Sequence, residues 1–145
     1  MNEEQFRRIY HELNPQRCPY EKAINHQLCD CSQHRKFLLA TREGVACDAP
    51  EGPQLCETVL STMRQTARFA LKSVLVNGPL PHNKELQVQV GGINGLNQQL
   101  SPFNTPPVNI HALLQHALQQ YKQPDQLPYQ ALVQSIARYK ARKRR

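Results

Sequence analysis

The sequence predicts a mostly α-helical protein: a small helical bundle with a minor β-hairpin element and a carboxyl-terminal helical pair. Apolar residues recur at spacings of three and four, prolines and glycines separate the periodic stretches, and alternation of period two is confined to one short segment. Leu, Ile, Val and Phe make up 34 of the 145 residues, just above the roughly 20 % below which chains tend to stay disordered. We therefore expect a modest core.

Four helices are predicted in the amino-terminal half. Asn2 is suited to cap the first, which carries one apolar stripe and ends at Pro15. A short second helix follows, and a third is expected around Phe37, with Gly44 as its stop. The strongest helical pattern covers roughly residues 54–76. This long helix is expected to be the spine against which the others pack.

After the long helix, apolar residues recur at every second position. Leu86, Val88 and Val90 alternate with polar residues, which predicts a strand, and a turn over Gly91–Gly95 would allow a small hairpin. Residues 101–107 are expected to form a linker, because they contain three prolines.

A carboxyl-terminal helical pair completes the predicted fold. Asn109 is the expected cap of its first helix, and a turn between Pro124 and Pro128 leads to its second. The chain is thus expected to divide into a cysteine-rich helical metal-binding module (residues 1–78), a β element with a linker (79–107), and the helical pair with its basic tail (108–145).

All five cysteines lie within 39 residues and are candidate metal ligands: Cys18, Cys29, Cys31, Cys47 and Cys56. A reducing cytosol disfavours structural disulfides, so clustered thiols indicate metal or redox chemistry. The predicted elements place them at helix ends or in joining loops, and helix N-termini favour thiolates. The alternative is a set of scattered buried thiols, since a free cysteine behaves as a small apolar side chain.

The cysteine spacing favours an iron–sulfur cluster over zinc. The pattern Cys-x10-Cys-x-Cys-x15-Cys-x8-Cys lacks the paired Cys-x2–4-Cys knuckles of structural zinc sites. A cluster held by four thiolates restricts the spacing less, so four of the five cysteines are expected to hold it. His26 or His34 could replace a thiolate, and thiol redox chemistry at Cys29 and Cys31 is a further alternative. Beyond the thiols, no catalytic arrangement stands out, and the sequence does not favour an enzyme.

Positive charge is concentrated at the carboxyl end. Residues 1–72 hold 10 Lys or Arg against 9 Asp or Glu, whereas residues 73–145 hold 8 against 2. Six basic residues form a carboxyl-terminal basic arm: Arg138, Lys140, Arg142, Lys143, Arg144 and Arg145. Such an arm can neutralise phosphates in a salt-dependent manner or dock an acidic partner. A solvated terminus that aids solubility is the simpler interpretation.

These features predict a metal-binding accessory or regulatory protein whose basic arm docks a protein partner. The alternative is a nucleic-acid-binding protein with a structural zinc or structural thiols. No apolar run approaches the roughly 18 residues needed to span a bilayer. The segment Met1–Gln5 lacks the features of a secretory signal, and we therefore expect a cytoplasmic location.

Overall fold

The structure is a computed structural model that describes residues 2–71, 80–100 and 105–140. The described chain is mostly helical with one small hairpin, which confirms the predicted fold class. Its elements are, in chain order, α1 (Glu3–Leu13), α2 (Glu21–Asn25), β1 (Cys29–Asp30), β2 (His34–Leu39), β3 (Arg42–Cys47), α3 (Gln54–Ala67), α4 (His82–Gln99), β4 (Val108–Asn109), α5 (Ile110–Tyr121), a 3₁₀ turn (Pro124–Gln126) and α6 (Tyr129–Arg138).

Two helices begin at the predicted asparagine caps. The Asn2 side chain accepts the N–H of Gln5 at 2.7 Å, and the Gln5 side chain accepts the N–H of Asn2 in return. The Asn109 side chain accepts the N–H of Ala112 at 3.3 Å at the start of α5. Both caps satisfy donors that the first turn of a helix leaves unpaired. The predicted start and type of α1 and α5 are therefore confirmed.

The helix predicted around Phe37 is wrong, because the β-hairpin of the protein lies there. β2 and β3 pair antiparallel with Phe37 opposite Gly44, and a Cβ on Gly44 would stand 2.4 Å from the Phe37 ring. Gly44 therefore makes room for an aromatic ring and does not stop a helix. The turn of the hairpin contains Ala40 at φ 56°, without the Asn-Gly or Gly-Gly pair that usually marks such turns.

The strand predicted over residues 86–90 is wrong, because this segment belongs to α4. Protein surrounds α4 on almost every side, so that even Glu85, Gln89 and Asn97 are buried. A helix enclosed in this way has no polar stripe to reveal its period. The predicted turn at Gly91–Gly95 likewise lies inside the helix.

Glycines allow α4 to pack closely between α3 and α6. A Cβ on Gly91 would lie 2.8 Å from the Ile136 Cα atom, in the backbone of α6. A Cβ on Gly92 would lie 2.5 Å from the sulfur of Met63, a side chain of α3. Buried side chains from α2 and α5 complete one hydrophobic core around α4.

The described helix α3 covers the first part of the long helix predicted over residues 54–76. It ends at Ala67 and is followed by turns as far as Leu71. The helix predicted at residues 68–71 is therefore wrong. The last predicted positions and the predicted stop at Gly78 fall in residues 72–79, which lie outside the described residues, as do residues 101–104 of the predicted linker. The module boundaries near residues 78 and 107 stay predictions. No helix within the three described ranges is long and apolar enough to cross a membrane.

Candidate metal centre

Four of the five cysteines lie close enough for their charges to interact. Cys18 precedes α2, Cys31 follows β1, Cys47 ends β3, and Cys56 lies in the first turn of α3. The other three sulfurs all act electrostatically on Cys18, and two of them act on Cys56. We call these four side chains the sulfur group. They come from four separate segments, and their thiols lie within electrostatic range of one another.

A short backbone ladder places Cys18 beside Cys47. The N–H of Cys18 donates to the Val45 carbonyl at 3.0 Å, and the N–H of Cys47 donates to the Gln16 carbonyl at 2.8 Å. Between these bonds, Arg17 forms an antiparallel bridge with Ala46. Side chains directly opposite each other across an antiparallel pair share a face. Cys18 and Cys47 are therefore diagonal neighbours on one face of the ladder.

The end of the hairpin brings Cys31 to the same place. His34 pairs with Cys47 across the hairpin, and the N–H of Asp48 donates to the Gln33 carbonyl at 2.8 Å, one step further on. The N–H of His34 in turn reaches the Cys31 carbonyl at 3.4 Å. The Cys31 loop thus continues the strand that runs alongside Cys47.

Burial favours the protonated thiols of Cys18, Cys31 and Cys56. It is the largest cause that raises the pKa of Cys18, which is 8 % exposed, and it raises the pKa of Cys56 to about 12. Burial also raises the pKa of Cys31. The charges of the neighbouring sulfurs raise all three pKa values further. A positive charge placed among these sulfurs would reverse both effects.

Backbone N–H groups act on two of the sulfurs. The N–H of Gln33 donates to the Cys31 sulfur at 3.4 Å. The backbone N–H of His111, in α5, also lowers the pKa of the Cys31 thiol, and the backbone N–H of Tyr20 lowers the pKa of the Cys18 thiol, in both cases against the larger effect of burial. Such bonds favour thiolates, and in iron–sulfur proteins they help to set the reduction potential. Cys56 gains a related effect from the N-terminal end of α3.

Cys29, the fifth cysteine, stands apart from the sulfur group. Its side chain is 3 % exposed and lies in β1, which pairs with β4. Burial is the first cause that raises its pKa to about 12, followed by the charge of Asp30. Its own charge acts on the phenols of Tyr20 and Tyr139. The structure therefore separates Cys29 from Cys31, although only one residue lies between them.

The sulfur group is a set of neighbours and not a finished coordination shell. In the described parts of the chain, no three His, Cys, Asp or Glu side chains stand at distances that would hold a metal ion. His34 places Nδ1 against the Cys31 carbonyl and lies 3.6 Å from Asp30. His26 packs on His82 with 5.1 Å between the ring centroids. Both histidines therefore contact other groups of the protein.

Two buried polar side chains, which the sequence analysis missed, support the Cys18 loop. Glu21 accepts the N–H of Val45 at 2.8 Å, and its Oε1 atom accepts two N–H bonds from the Arg17 guanidinium. Gln89 of α4 donates to the Pro19 carbonyl at 3.2 Å and accepts the N–H of Ala23 at 3.0 Å. Gln89 therefore holds the backbone that follows Cys18, and Glu21 joins the side chain of Arg17, which precedes Cys18, to the backbone of Val45. Gln89 has no signal in the sequence, because its segment has the pattern of a strand.

The basic arm begins on the surface. Arg138 ends α6 with an exposed side chain, and Lys140 is also exposed. Arg142, Lys143, Arg144 and Arg145 lie outside the described residues. Tyr139, between the two described cations, is half-buried, and its N–H donates to the carbonyls of Ser135 and Ile136.

Comparison of the chain with protein-family models, with curated proteins and with solved structures gave no match.

Proposed function

We propose that the sulfur group binds an iron–sulfur cluster, and that the protein is an accessory or regulatory metal protein of the cytoplasm. The proposal depends on which of the five thiols lie near one another in the fold. Four cysteines from four segments lie within electrostatic range of one another, while Cys29, closest in sequence to one of them, is acted on by the charge of Asp30. Thiols that only fill space in a core have no reason to gather in this way.

The electrostatics of the sulfur group suit a metal. The thiols of Cys18 and Cys56 resist ionisation by themselves, because desolvation and the charges of the neighbouring sulfurs both raise their pKa values. A bound metal supplies the missing positive charge, so that the thiols lose their protons to solvent as they bind. The N–H of Gln33 already donates to the Cys31 sulfur, and the backbone N–H groups of Tyr20 and His111 lower the pKa values of Cys18 and Cys31, so that all three would stabilise thiolates.

The spacing of the four ligands supports a cluster in preference to zinc. Each sulfur stands on its own segment, and none belongs to a Cys-x2–4-Cys knuckle of the kind that holds structural zinc. Zinc remains the second candidate, within the alternative of a nucleic-acid-binding protein. A thiol enzyme that uses Cys29 is less well supported, because burial raises the pKa of Cys29 to about 12 and removes the reactive thiolate.

The proposed accessory role includes the basic arm as the docking element for a partner. The exposure of Arg138 and Lys140 supports this assignment, since the arm begins at the protein surface. An acidic protein surface is the partner that we favour. Nucleic acid is the partner in the alternative, where phosphates would be neutralised one by one.

Purification without oxygen, followed by iron, sulfide and zinc analysis, tests the identity of the metal. We expect a brown protein that absorbs broadly at about 400 nm and contains iron and sulfide in equal amounts. Colourless protein with stoichiometric zinc would favour the alternative. Protein that holds neither metal, even after anaerobic incubation with ferrous iron and sulfide, would contradict the proposal.

Alanine substitutions test which sulfurs bind. Cys18→Ala, Cys31→Ala, Cys47→Ala and Cys56→Ala should each lose most of the iron and most of the absorption. Cys29→Ala is the matched control and should retain both, because its thiol lies outside the sulfur group. If Cys29→Ala loses the metal while Cys31→Ala retains it, the assignment of ligands is wrong.

A further inference from the structure

The two outer edges of the hairpin differ in how their backbone groups are bonded. On the β3 side, the Val45 N–H donates to the Glu21 carboxylate at 2.8 Å, and the Val45 carbonyl accepts the N–H of Cys18 at 3.0 Å. Further along, the N–H of Cys47 donates to the Gln16 carbonyl at 2.8 Å. Neighbouring segments of the fold therefore cover the edge of β3.

The register of the hairpin shows which backbone groups of β2 face away from β3. In an antiparallel ladder, pairs of residues that bond to each other alternate with pairs whose N–H and C=O groups point outward. Val45 and Cys47 bond outward on β3. Their opposite residues, Lys36 and His34, therefore also face outward, and the alternation adds Leu38. We call the main-chain N–H and C=O groups of Lys36 and Leu38 the β2 edge.

The β2 edge is open to solvent. Within the three described ranges, β2 pairs with β3 alone, and no other group hydrogen-bonds to the main chain of Lys36 or Leu38. Both residues are exposed, Leu38 to 69 %. A row of exposed N–H and C=O groups is a template for a further strand, and peptide-binding domains use such edges to take up an extended segment.

The side chains of β2 indicate the chemistry of that segment. Arg35 and Lys36 are positive, and β2 contains no acidic residue. Arg35 meets Asp48 at 3.3 Å, with both side chains more than half exposed. Lys36 meets Glu43 at 3.9 Å, and its side chain is 39 % exposed. Ion pairs so exposed are weak, so that carboxylates of a partner can compete for both cations.

A second copy of the chain suits this edge poorly. Pairing of two β2 strands would bring two copies of Arg35 and Lys36 to one short stretch of sheet, where like charges repel. Natural proteins use a lysine on an edge strand against such self-pairing. An acidic segment replaces the repulsion by attraction.

We propose that the β2 edge takes up an extended acidic segment of a partner protein as a third, antiparallel strand. Acidic residues of this segment lie opposite Arg35 and Lys36, and apolar residues lie opposite Leu38 and Leu39. Main-chain bonds to Lys36 and Leu38 hold the segment, whereas the charges select it. The pairing requires no metal in the sulfur group and uses residues other than those of the basic arm.

A labelled hexapeptide of three valines followed by three glutamates tests the pairing, because antiparallel docking places its glutamates opposite the basic end of β2. Fluorescence anisotropy should show that it binds, and that a peptide with lysine in place of glutamate binds at least about tenfold more weakly. Absence of binding by the valine–glutamate peptide, or equal binding of the two peptides, would overturn the proposal.

Two substitutions at one position separate the main-chain bond from the charge. Lys36→Pro removes an outward N–H without removing a bond to β3, and it should weaken binding of the valine–glutamate peptide by about tenfold or more. Lys36→Thr is the matched control, because it removes the same charge and keeps the N–H, and it should weaken binding by no more than about fivefold. Equal affinities of the two variants would overturn main-chain pairing.

Amide exchange of the unaltered protein, followed by NMR for single residues, locates the peptide without any substitution. The peptide should slow exchange at Lys36 and Leu38 by about tenfold, while exchange at Phe37, whose N–H already faces β3, should not change. If the peptide binds and exchange at Lys36 and Leu38 stays the same, it lies elsewhere on the molecule and the proposal is wrong. Slower exchange at these two amides as the protein concentration rises without peptide would also overturn it, because the partner would then be a second copy of the chain.

Discussion

Glu85 carries a negative charge deep in the core. Arg64 donates to both of its carboxylate oxygens, at 2.9 and 2.8 Å, while Gln89 and the N–H of Leu80 add further bonds. Burial by itself raises the pKa of Glu85, but the bonds from these donors outweigh it, and the net shift is downward. Through Gln89 this network extends to Pro19 and so supports the loop of Cys18.

Glu85→Gln should therefore destabilise the protein by roughly 3–5 kcal/mol, because Arg64 would keep a buried charge without its counter-charge. Urea unfolding measures the loss. Since the folded pKa lies below 4.5, the stability contributed by the pair is present above about pH 4.5 and is lost as the pH falls through the folded pKa. Glu57→Gln is the control: Glu57 is exposed and lies 3.7 Å from the same arginine, and its loss should change stability by under about 0.5 kcal/mol. Equal losses in both variants would show that the buried pair is not the cause.

The sequence identifies the five cysteines as candidates but does not predict which of them lie together. Their number and placement between elements predicted all five as candidates, because thiol chemistry does not depend on the fold. The separation of Cys29 from Cys31 depends on which way each side chain points, and that follows from the pairing of β1 with β4. Two-residue strands leave no periodic pattern, so the sequence carries no trace of this pairing.

Helices with one exposed face were predictable, and enclosed or paired segments were not. α1 and α5 carry asparagine caps and an apolar stripe, and both were predicted. α4 has its polar residues buried in hydrogen bonds, so its sequence alternates as a strand does. The hairpin of β2 and β3 has a half-exposed outer strand and a turn without glycine, so that its pairing left no signal. In both failures the deciding contacts are long-range.

The glycines of α4 give a prediction at the level of helix packing. Alanine is favoured over glycine in a helix by about 1 kcal/mol, but a methyl group at Gly91 would meet the backbone of α6. Gly91→Ala should therefore destabilise the protein by roughly 1–3 kcal/mol. Gly92→Ala is the matched comparison, because its methyl group would meet only the flexible end of Met63. The melting temperature of Gly91→Ala should be clearly lower than that of Gly92→Ala. The reverse order would contradict the close packing of α4 against α6.

At the scale of the whole molecule, the sulfur group and the start of the basic arm lie in different parts of one fold. The sulfur group gathers segments from the first half of the chain, and the basic arm leaves from the last helix. α4 contacts both, through Gln89 on the Cys18 loop and through Gln87, which donates to the Ile136 carbonyl at 2.8 Å. The charge asymmetry of the sequence predicted that the arm and the thiols belong to different regions. The sequence did not predict the buried helix that lies between them, because the segment of α4 has the pattern of a strand.

The last prediction concerns the basic arm, most of which can be removed by truncating the chain just after α6. Truncation after Tyr139 keeps the bonds that close α6 and removes Lys140 and the four arginine or lysine residues that follow. Each phosphate contact contributes about −0.9 to the slope of log affinity against log salt concentration, so the loss of five basic residues should make the slope for a DNA duplex smaller by as much as roughly 4.5. Fluorescence anisotropy over a salt series measures this slope. A full-length variant with glutamine at the same five positions should behave as the truncated chain does, because charge and not length is responsible. An unchanged slope in both variants would leave the arm as a solvated terminus and would place the docking surface elsewhere on the molecule.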